Sequence, residues 1–292
     1  MRRILVIGAR GMLGKDLTAL LQSSSDAEVI AWDIEEIDIR IEKETIAKIG
    51  ALHPEVIFHL AALTQVDSCE SEVEKAFAVN AEGTKHVALA AVQCRAKVVF
   101  LSTDYVFDGE KRVPYREDDL PRPLNVYGQS KWKGEQYLQH LTEDALIVRT
   151  QWLYGRFGNS FVTAILRQAK EKGELQIVTD QTGSPTYTVD LARVLSALTR
   201  QDLRGVFHVT NSGSCTWYEF GRTILQLAGM SHVRVVPISS EEIHRPARRP
   251  SFSVLSCQKL KERAGLTLRP WQQALEDYLA SLRMDPACGK GA

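Results

Sequence analysis

MRRILVIGARGMLGKDLTALL, residues Met1–Leu21, opens the chain with an apolar run, three spaced glycines and then leucines at a different period. Arg3–Ile7 is a continuous β-branched and aliphatic stretch, as expected of a strand buried on both faces of a parallel sheet. Gly8, Gly11 and Gly14 follow as G-x-x-G-x-x-G, and Leu17, Leu20 and Leu21 take up helical spacing. Strand, glycine loop and helix in that order place a nucleotide site here. The glycines permit a tight turn and let a pyrophosphate approach the backbone N–H groups at the helix start. The residues expected at that site are Gly8, Arg10, Gly11, Met12, Leu13 and Gly14. A glycine triplet alone is weak evidence; its flanking strand and helix, at the head of the chain, carry the reading.

Working outward, Glu28–Trp32 reads as the second strand and ends at Asp33, about twenty residues past the glycines. An acid there accepts hydrogen bonds from the adenosine ribose hydroxyls and repels a 2′-phosphate, which favours NADH. Arg10 could still stabilise a 2′-phosphate, so NADPH stays open. Asp38 and Ile39 lie in a short connection before a helix over Glu42–Leu52, which His53-Pro54 ends. Val56–Leu60 is the next strand and runs into Ala61 and Ala62, small residues that let a cofactor lie close to the backbone. Ser71–Asn80 and Gly83–Gln93 read as helices. Lys97–Leu101 reads as a buried strand delivering Ser102 and Thr103 at its carboxyl end, the edge where open parallel sheets bind ligands. A helix over Val126–Leu141 and a strand over Ala145–Arg149 continue the rhythm. Alternation at this spacing implies an α/β fold with a Rossmann-like doubly wound parallel sheet.

After Thr150 the rhythm changes. Trp152, Tyr154, Gly155, Arg156 and Gly158 form an aromatic, Gly-rich loop, followed by a helix over Ser160–Lys172 and a short strand over Leu175–Val178. The loop DQTGSPT (Asp180–Thr186), a helix over Val189–Thr199 and a strand over Gly205–Thr210 come next. Thr216 is an N-cap whose capping box Glu219 completes. Arg245–Ser253 (RPARRPSFS) is a local basic cluster held extended by its prolines, and a last helix lies near Pro270–Leu282. This divides the chain into a dinucleotide-binding domain over 1–152, to which segments near 188–210 return, and a smaller mixed α/β C-terminal substrate domain over 153–187 and 211–285. Residues 286–292 read as a flexible tail.

The chemistry is expected between Leu101 and Lys131, where Thr103, Tyr127 and Lys131 form a Thr, Tyr-x-x-x-Lys constellation. On a helix starting at Val126, Tyr127 and Lys131 lie four apart on one face and reach the same point. A free Tyr titrates near ~10 and is a poor acid or base at neutral pH. An ammonium beside it favours the phenolate and brings that pKa toward the working range. Tyr-x-x-x-Lys is common by chance; the glycine loop gives it weight.

The 292 residues are 44% apolar and 25% charged, an ordinary globular composition long enough for one large α/β unit or two domains. Lys plus Arg and Asp plus Glu both total 36, so there is no global bias toward nucleic acid or anionic membrane. Cys69, Cys94, Cys215, Cys257 and Cys288 are scattered without a C-x-x-C pair, which fits a reducing cytoplasm and argues against structural zinc. The apolar run before Arg10 is too short for a signal-peptide core, and no run approaches transmembrane length. A soluble cytoplasmic protein is expected.

Glycine loop, Asp33, STDYVF and Tyr-x-x-x-Lys in this order resemble the extended short-chain dehydrogenase/reductase superfamily. Within it the chain most resembles the dTDP-4-dehydrorhamnose reductase family. The likeness rests on AALTQVDSCE (Ala61–Glu70), STDYVFDG (Ser102–Gly109), PLNVYGQSKWKGE (Pro123–Glu135) and VRTQWLYG (Val148–Gly155). It continues in DQTGSPT, Thr216-Trp217 and RPSFSVL (Arg249–Leu255), and so covers most of the chain. The resemblance implies reduction of the C4 ketone of dTDP-4-dehydro-L-rhamnose (dTDP-6-deoxy-L-lyxo-4-hexulose) to dTDP-L-rhamnose, with hydride from NADH or NADPH. Tyr127 would donate the proton to the forming alkoxide and Thr103 would hydrogen-bond the oxygen where charge develops. Lys131 would hold the nicotinamide ribose and lower the Tyr127 pKa.

On the same resemblance the cofactor residues extend from the glycine loop to Asp33, Asp38, Ile39, Ala61, Ala62 and Thr64, with Tyr127 and Lys131. Thr64, Val66, Asp104, Tyr105 and Trp152 fall at the sugar pocket beside Thr103 and Tyr127. Arg249 is expected on the pyrophosphate, which suits its bidentate fork. Related 4,6-dehydratases carry Asp-Glu after the Thr; Asp104-Tyr105 here argues for simple reduction. Some bacterial members are dimers sharing Mg²⁺ between carboxylates. Asp16 fills the first of those places, but Val189 stands at the second with Asp190 one residue off, so no metal is assigned and a homodimer stays open. His59 reads as a core residue. Two other readings remain: a nucleotide-sugar 4-epimerase, which uses the same Thr, Tyr and Lys but retains NAD⁺, and a non-catalytic NADP-binding regulatory subunit resembling the methionine adenosyltransferase beta subunit. The intact Thr103, Tyr127 and Lys131 set argues against the latter.

Overall fold

The computed structural model describes residues 2–23 and 26–284. The first half runs β1 (Arg2–Ile7), α1 (Met12–Gln22), β2 (Ala27–Trp32), α2 (Glu42–Leu52), β3 (Val56–His59), α3 (Val66–Ser71), α4 (Val73–Phe77) and α5 (Gly83–Cys94). Next come β4 (Lys97–Thr103), α6 (Val126–Leu141), β5 (Ala145–Thr150), β6 (Leu153–Tyr154), α7 (Phe161–Glu171), β7 (Glu174–Val178), β8 (Thr182–Gly183) and β9 (Thr186–Tyr187). The chain closes with α8 (Thr188–Leu198), β10 (Gly205–His208), β11 (Cys215–Thr216), α9 (Trp217–Leu227), β12 (Arg234–Ile238), α10 (Gln258–Ala264) and α11 (Trp271–Met284).

Six strands form one sheet in the order β2-β1-β3-β4-β5-β10, every neighbouring pair parallel. Helices cover both faces, and this explains the unbroken apolar run of β1. Successive side chains of a strand point to opposite faces, so Ile4 and Val6 pack with Leu13, Leu17 and Leu195, while Leu5 and Ile7 pack with Ile49 and Val87. The chain steps from β1 to β2 on one side and then places β3 on the other. That reversal opens a crevice over the carboxyl ends of β1 and β3, the place where doubly wound sheets take ligands.

Beyond β5 a separate apolar cluster joins α7, β7, α9 and α11 through Ile165, Ile177, Phe220 and Leu275. Between these elements the chain returns to the large sheet: α8 contributes Leu191 and Leu195 to the α1 side, and β10 pairs with β5.

Three features depart from the sequence reading. Ser71–Asn80 is not one helix: helical structure starts earlier, at Val66, and Ala78–Glu82 forms a widened π-type turn. Asn80 is fully buried there; its Oδ1 accepts the Leu63 N–H at 2.8 Å, and its Nδ2 donates to Leu63 O at 3.1 Å and Ser130 Oγ at 3.0 Å. Widened turns of this kind sit where a helix must aim a side chain out of register. Strand β12 and helix α10 also escape the reading. Pro237 lacks the N–H a central strand needs, and β12 survives as one member of a two-stranded parallel pair with β7. Residues 285–292, including Cys288, lie outside the described residues; the other four cysteines are free. Among the described residues no helix is long and apolar enough to cross a membrane.

Candidate active site

The glycine loop is folded against itself. A Cβ at Gly14 would lie 2.1 Å from Gly8 O and 2.8 Å from Ala9 Cα, so only glycine lets α1 start this close to β1. Gly11 is the N-cap of α1 and offers no side-chain cap, which leaves the first-turn amides available to an anion. Asp33 sits at the end of β2 as anticipated in position. Its Oδ2 accepts the Arg10 backbone N–H at 2.8 Å and its Oδ1 the Ile34 N–H at 2.9 Å. The Arg10 guanidinium is paired with Glu35 and, at 2.5 Å, with Glu36. Asp38 is gripped by Arg40 at 2.6 Å, which holds its carboxyl below the usual range.

A cavity of about 870 Å³ lies over the carboxyl ends of β1, β3, β4 and β5. Gly8, Arg10, Gly11, Met12, Leu13, Gly14, Asp33, Asp38, Ile39, Ala61, Ala62 and Thr64 line one part of it. Val66, Thr103, Asp104, Tyr105, Tyr127, Lys131 and Trp152 line the other. Residues from opposite ends of the first 152 positions therefore share one cleft.

Asn125 organises the reacting corner. Its Oδ1 caps α6 by accepting the Gly128 N–H at 2.8 Å, and its Nδ2 donates to Arg248 O at 2.7 Å. Within that first turn a Cβ at Gly128 would meet Tyr105 O at 2.1 Å, so the helix lies directly on the segment leaving β4. Thr103 and Tyr127 are brought together by that contact. Thr103 Oγ1 donates to Asp104 Oδ1 at 3.1 Å and accepts the Tyr105 N–H at 3.2 Å. Lys131 is buried with Nζ 3.9 Å from the Phe100 ring centroid; burial lowers it to about 7, against the opposing pull of Glu135.

The expectation that Lys131 draws the Tyr127 phenol down is corrected. Burial pushes that phenol above its ordinary value, with the Thr103 hydrogen bond acting the other way. Tyr127 is thereby held protonated, the state from which it can give a proton. Asp104 is also buried, which raises its carboxyl to about 7 in spite of hydrogen bonds from Ser253 and Thr103. The folded state then holds this proton where the unfolded chain has lost it, so the group's contribution to stability falls as pH rises from about 4 to about 7. Urea unfolding at several pH values should show Asp104→Asn gaining on the wild type by a few kcal/mol over that interval. A gap constant with pH would mean that Asp104 ionises freely.

Trp152 lines the cavity and stacks on Trp217, centroids 3.5 Å apart with the planes at 11°. Trp217 is a cleft residue that sequence reasoning noticed only as part of a matching string. Arg245 and Arg248 showed only as members of the basic cluster, and Asn80 carried no signal.

Arg249 does not line this cavity; its fork grips Asp67, with Nη1–Oδ1 2.6 Å and Nη2–Oδ2 2.7 Å, and it donates to Ala247 O at 2.6 Å. It borders a second cavity of about 600 Å³ with Arg245 and Arg248, and Tyr105 and Trp217 line both cavities.

The carboxylates weighed for Mg²⁺ have other partners. Asp16 accepts from Thr188 Oγ1 at 2.5 Å, and Asp190 is held by Arg269 at 2.8 Å and Asn211 at 2.9 Å. Among the described residues no group of three or more His, Cys, Asp or Glu is placed to hold a metal. His59 is fully buried with Nε2 3.0 Å from Thr84 Oγ1, and burial together with Lys131 lowers it to about 3.

Known proteins match this architecture along nearly its whole length. The family model described as the RmlD substrate binding domain matches residues 1–284. A dTDP-4-keto-6-deoxy-D-glucose reductase of Streptomyces niveus is 40% identical over 285 residues, covering 97% of this chain and 98% of its own. The crystal structure of a dTDP-4-dehydrorhamnose reductase from Clostridium acetobutylicum superposes with a TM-score of 0.94 at 40% identity, over 97% of this chain and 100% of that one. The enzyme of the same name from Bacillus anthracis, crystallised in complex with NADP, gives 0.93 at 39% identity over 96% and 100%. With its glycine loop, its Thr103, Tyr127 and Lys131 corner and the apolar cluster beyond β5 all covered by these matches, the chain belongs to the RmlD family, the dTDP-4-dehydrorhamnose reductases.

Proposed function

We propose that this protein uses NADH or NADPH to reduce the C4 ketone of dTDP-4-dehydro-L-rhamnose to dTDP-L-rhamnose. The observation that carries the reading is that the buried Thr103 and Lys131 and the half-buried Tyr127 line the same cleft as the uncapped α1 amides. The residues fit a dinucleotide: an uncapped helix start for its pyrophosphate, Asp33 for a ribose and the small Ala61 and Ala62 where the backbone must be approached. Bound there, the cofactor supplies a hydride. Tyr127 gives its proton to the C4 oxygen, an alkoxide being a far stronger base than a phenolate. Thr103 orients that phenol and shares the developing charge. Lys131 supplies a positive charge inside a water-poor pocket, where it counts for more than in water. The basic second cavity, with Arg245 and Arg248, suits the diphosphate and base of the nucleotide sugar, and Trp152 and Trp217 suit the boundary between the two chambers.

NADH is the favoured cofactor. Asp33 repels a 2′-phosphate, and Glu35 and Glu36 occupy the guanidinium that could have received one. Asp33→Ala should raise the NADPH/NADH ratio of kcat/KM by ~10-fold or more; an unchanged ratio would remove Asp33 from that role. Free thiols and a nucleotide-sugar substrate suit the cytoplasm.

The test is NADH oxidation with the dTDP-4-keto sugar generated enzymatically in situ. The D-gluco ketone should be run alongside, because the Streptomyces niveus relative is named for that sugar. Turnover on the second alone would change the substrate. Stoichiometric bound NAD⁺ with no net NADH consumption would make the protein an epimerase. Inertness toward every dTDP-4-keto sugar would leave it a binding subunit.

A further inference from the structure

Behind the Tyr127 and Lys131 corner lies a buried charge pair that the reduction as written does not use. Glu135 is 1% and Arg149 3% exposed. Arg149 Nε donates to Glu135 Oε1 at 2.9 Å and Arg149 Nη2 to Oε2 at 2.6 Å, while Ser102 Oγ donates to the same Oε1 at 2.5 Å. Each partner adjoins the reacting groups. Ser102 immediately precedes Thr103 on β4, Glu135 follows Lys131 by one turn of α6, and Arg149 stands opposite Ser102 in the β4–β5 register.

Stability does not account for such a pair. Desolvating two ions costs about what their attraction returns, and well-packed apolar side chains usually serve as well. Something else needs the carboxylate. The groups set against Lys131 are Tyr127 and Glu135, one turn to either side of it on α6, the Phe100 ring of β4 and His59 of β3. Burial works against the Lys131 ammonium, His59 is held neutral, and Glu135 is the charge that favours it.

We propose that Glu135 is a positioning residue for the reduction: through Ser102 and Arg149 it ties the end of β4 to α6, and through its charge it keeps Lys131 an ammonium at neutral pH. The inference rests on the reading of Lys131 as the cation of the cofactor site.

The experiment measures NADH affinity by fluorescence and kcat/KM for the keto sugar from pH 6 to 9, using four variants of the whole chain. Glu135→Gln removes the charge. Glu135→Gln with Arg149→Met also removes the cation left behind, and so guards against misfolding. Glu135→Asp keeps the charge at shorter reach, and Ser102→Ala cuts the tie to β4. Both affinity and kcat/KM should decline as pH rises through the Lys131 transition. In the two neutral variants that decline should move about one pH unit lower, a ~10-fold loss near pH 8 that largely recovers near pH 6. Glu135→Asp should keep the wild-type transition, and Ser102→Ala should lower kcat without moving it. A transition that is absent, or equal in the wild type and the neutral variants, overturns the proposal. So does failure of both neutral variants to fold, which would make the pair structural. The NADH arm needs no sugar, so an enzyme inert toward dTDP-4-keto sugars sinks the substrate reading while Glu135 is still judged.

Discussion

Tyr127→Phe is expected to bind NADH within about twofold of the wild type and to turn over at least ~100-fold more slowly, the usual scale for losing a positioned proton donor. The substitution deletes one hydroxyl. The ring keeps its edge-to-face contact with Tyr105 at 5.9 Å, and Asn125 still caps α6, so the glycine loop and the cleft should stay as they are. What disappears is the proton that must meet the C4 oxygen as hydride arrives. Because burial raises the phenol, the wild type should show no loss of activity from Tyr127 ionisation at neutral or mildly alkaline pH. A decline there belongs to Lys131 or Asp104, both of which titrate near neutrality, and Asp104→Asn separates the two. Steady-state NADH oxidation and fluorescence titration check both halves. Equal kcat in the two proteins would take Tyr127 out of the mechanism.

Gly14→Ala is expected to abolish useful cofactor binding although it adds one methyl group. That methyl would sit 2.1 Å from Gly8 O, and the atoms in its way are backbone, so the loop itself has to move. A displacement of about 1 Å where a ligand is held by amide geometry costs ~100-fold. NADH affinity should fall by that order, while circular dichroism still reports a folded protein. Gly50→Ala is the control. No atom lies within 4 Å of a Cβ there, and alanine in the α2 interior should raise stability slightly without touching NADH. Wild-type affinity in Gly14→Ala would mean that the cofactor does not lie on this loop.

Much of the site was legible before any coordinates because its signals are local. Strand, glycine loop and helix occupy adjacent positions, and the Tyr127–Lys131 spacing is a property of one helix. The features that escaped are those whose meaning depends on a distant partner. Arg249 reads as an unpaired guanidinium, and its pairing with Asp67, far away in the chain, shows only in the fold. Trp217 reads as a capped-helix aromatic until Trp152 stacks on it. Asn80 looks like a helix residue until burial turns its amide toward Leu63 and Ser130. The Tyr127 phenol follows the same logic: spacing suggested a cation beside it, and desolvation by the whole fold outweighed that suggestion.

The sequence alone determined the doubly wound sheet, the glycine loop at its head and the grouping of Thr103, Tyr127 and Lys131. Periodicity, glycine geometry and helix spacing act within a few residues and need no packing to be read. Only the tertiary structure decided which charges are spent on one another. Arg249 with Asp67, Arg10 with Glu35 and Glu36, and Arg149 with Glu135 join residues remote in the chain. Only the folded interior, by removing water, decided that Tyr127 keeps its proton and Lys131 is brought to the edge of losing one.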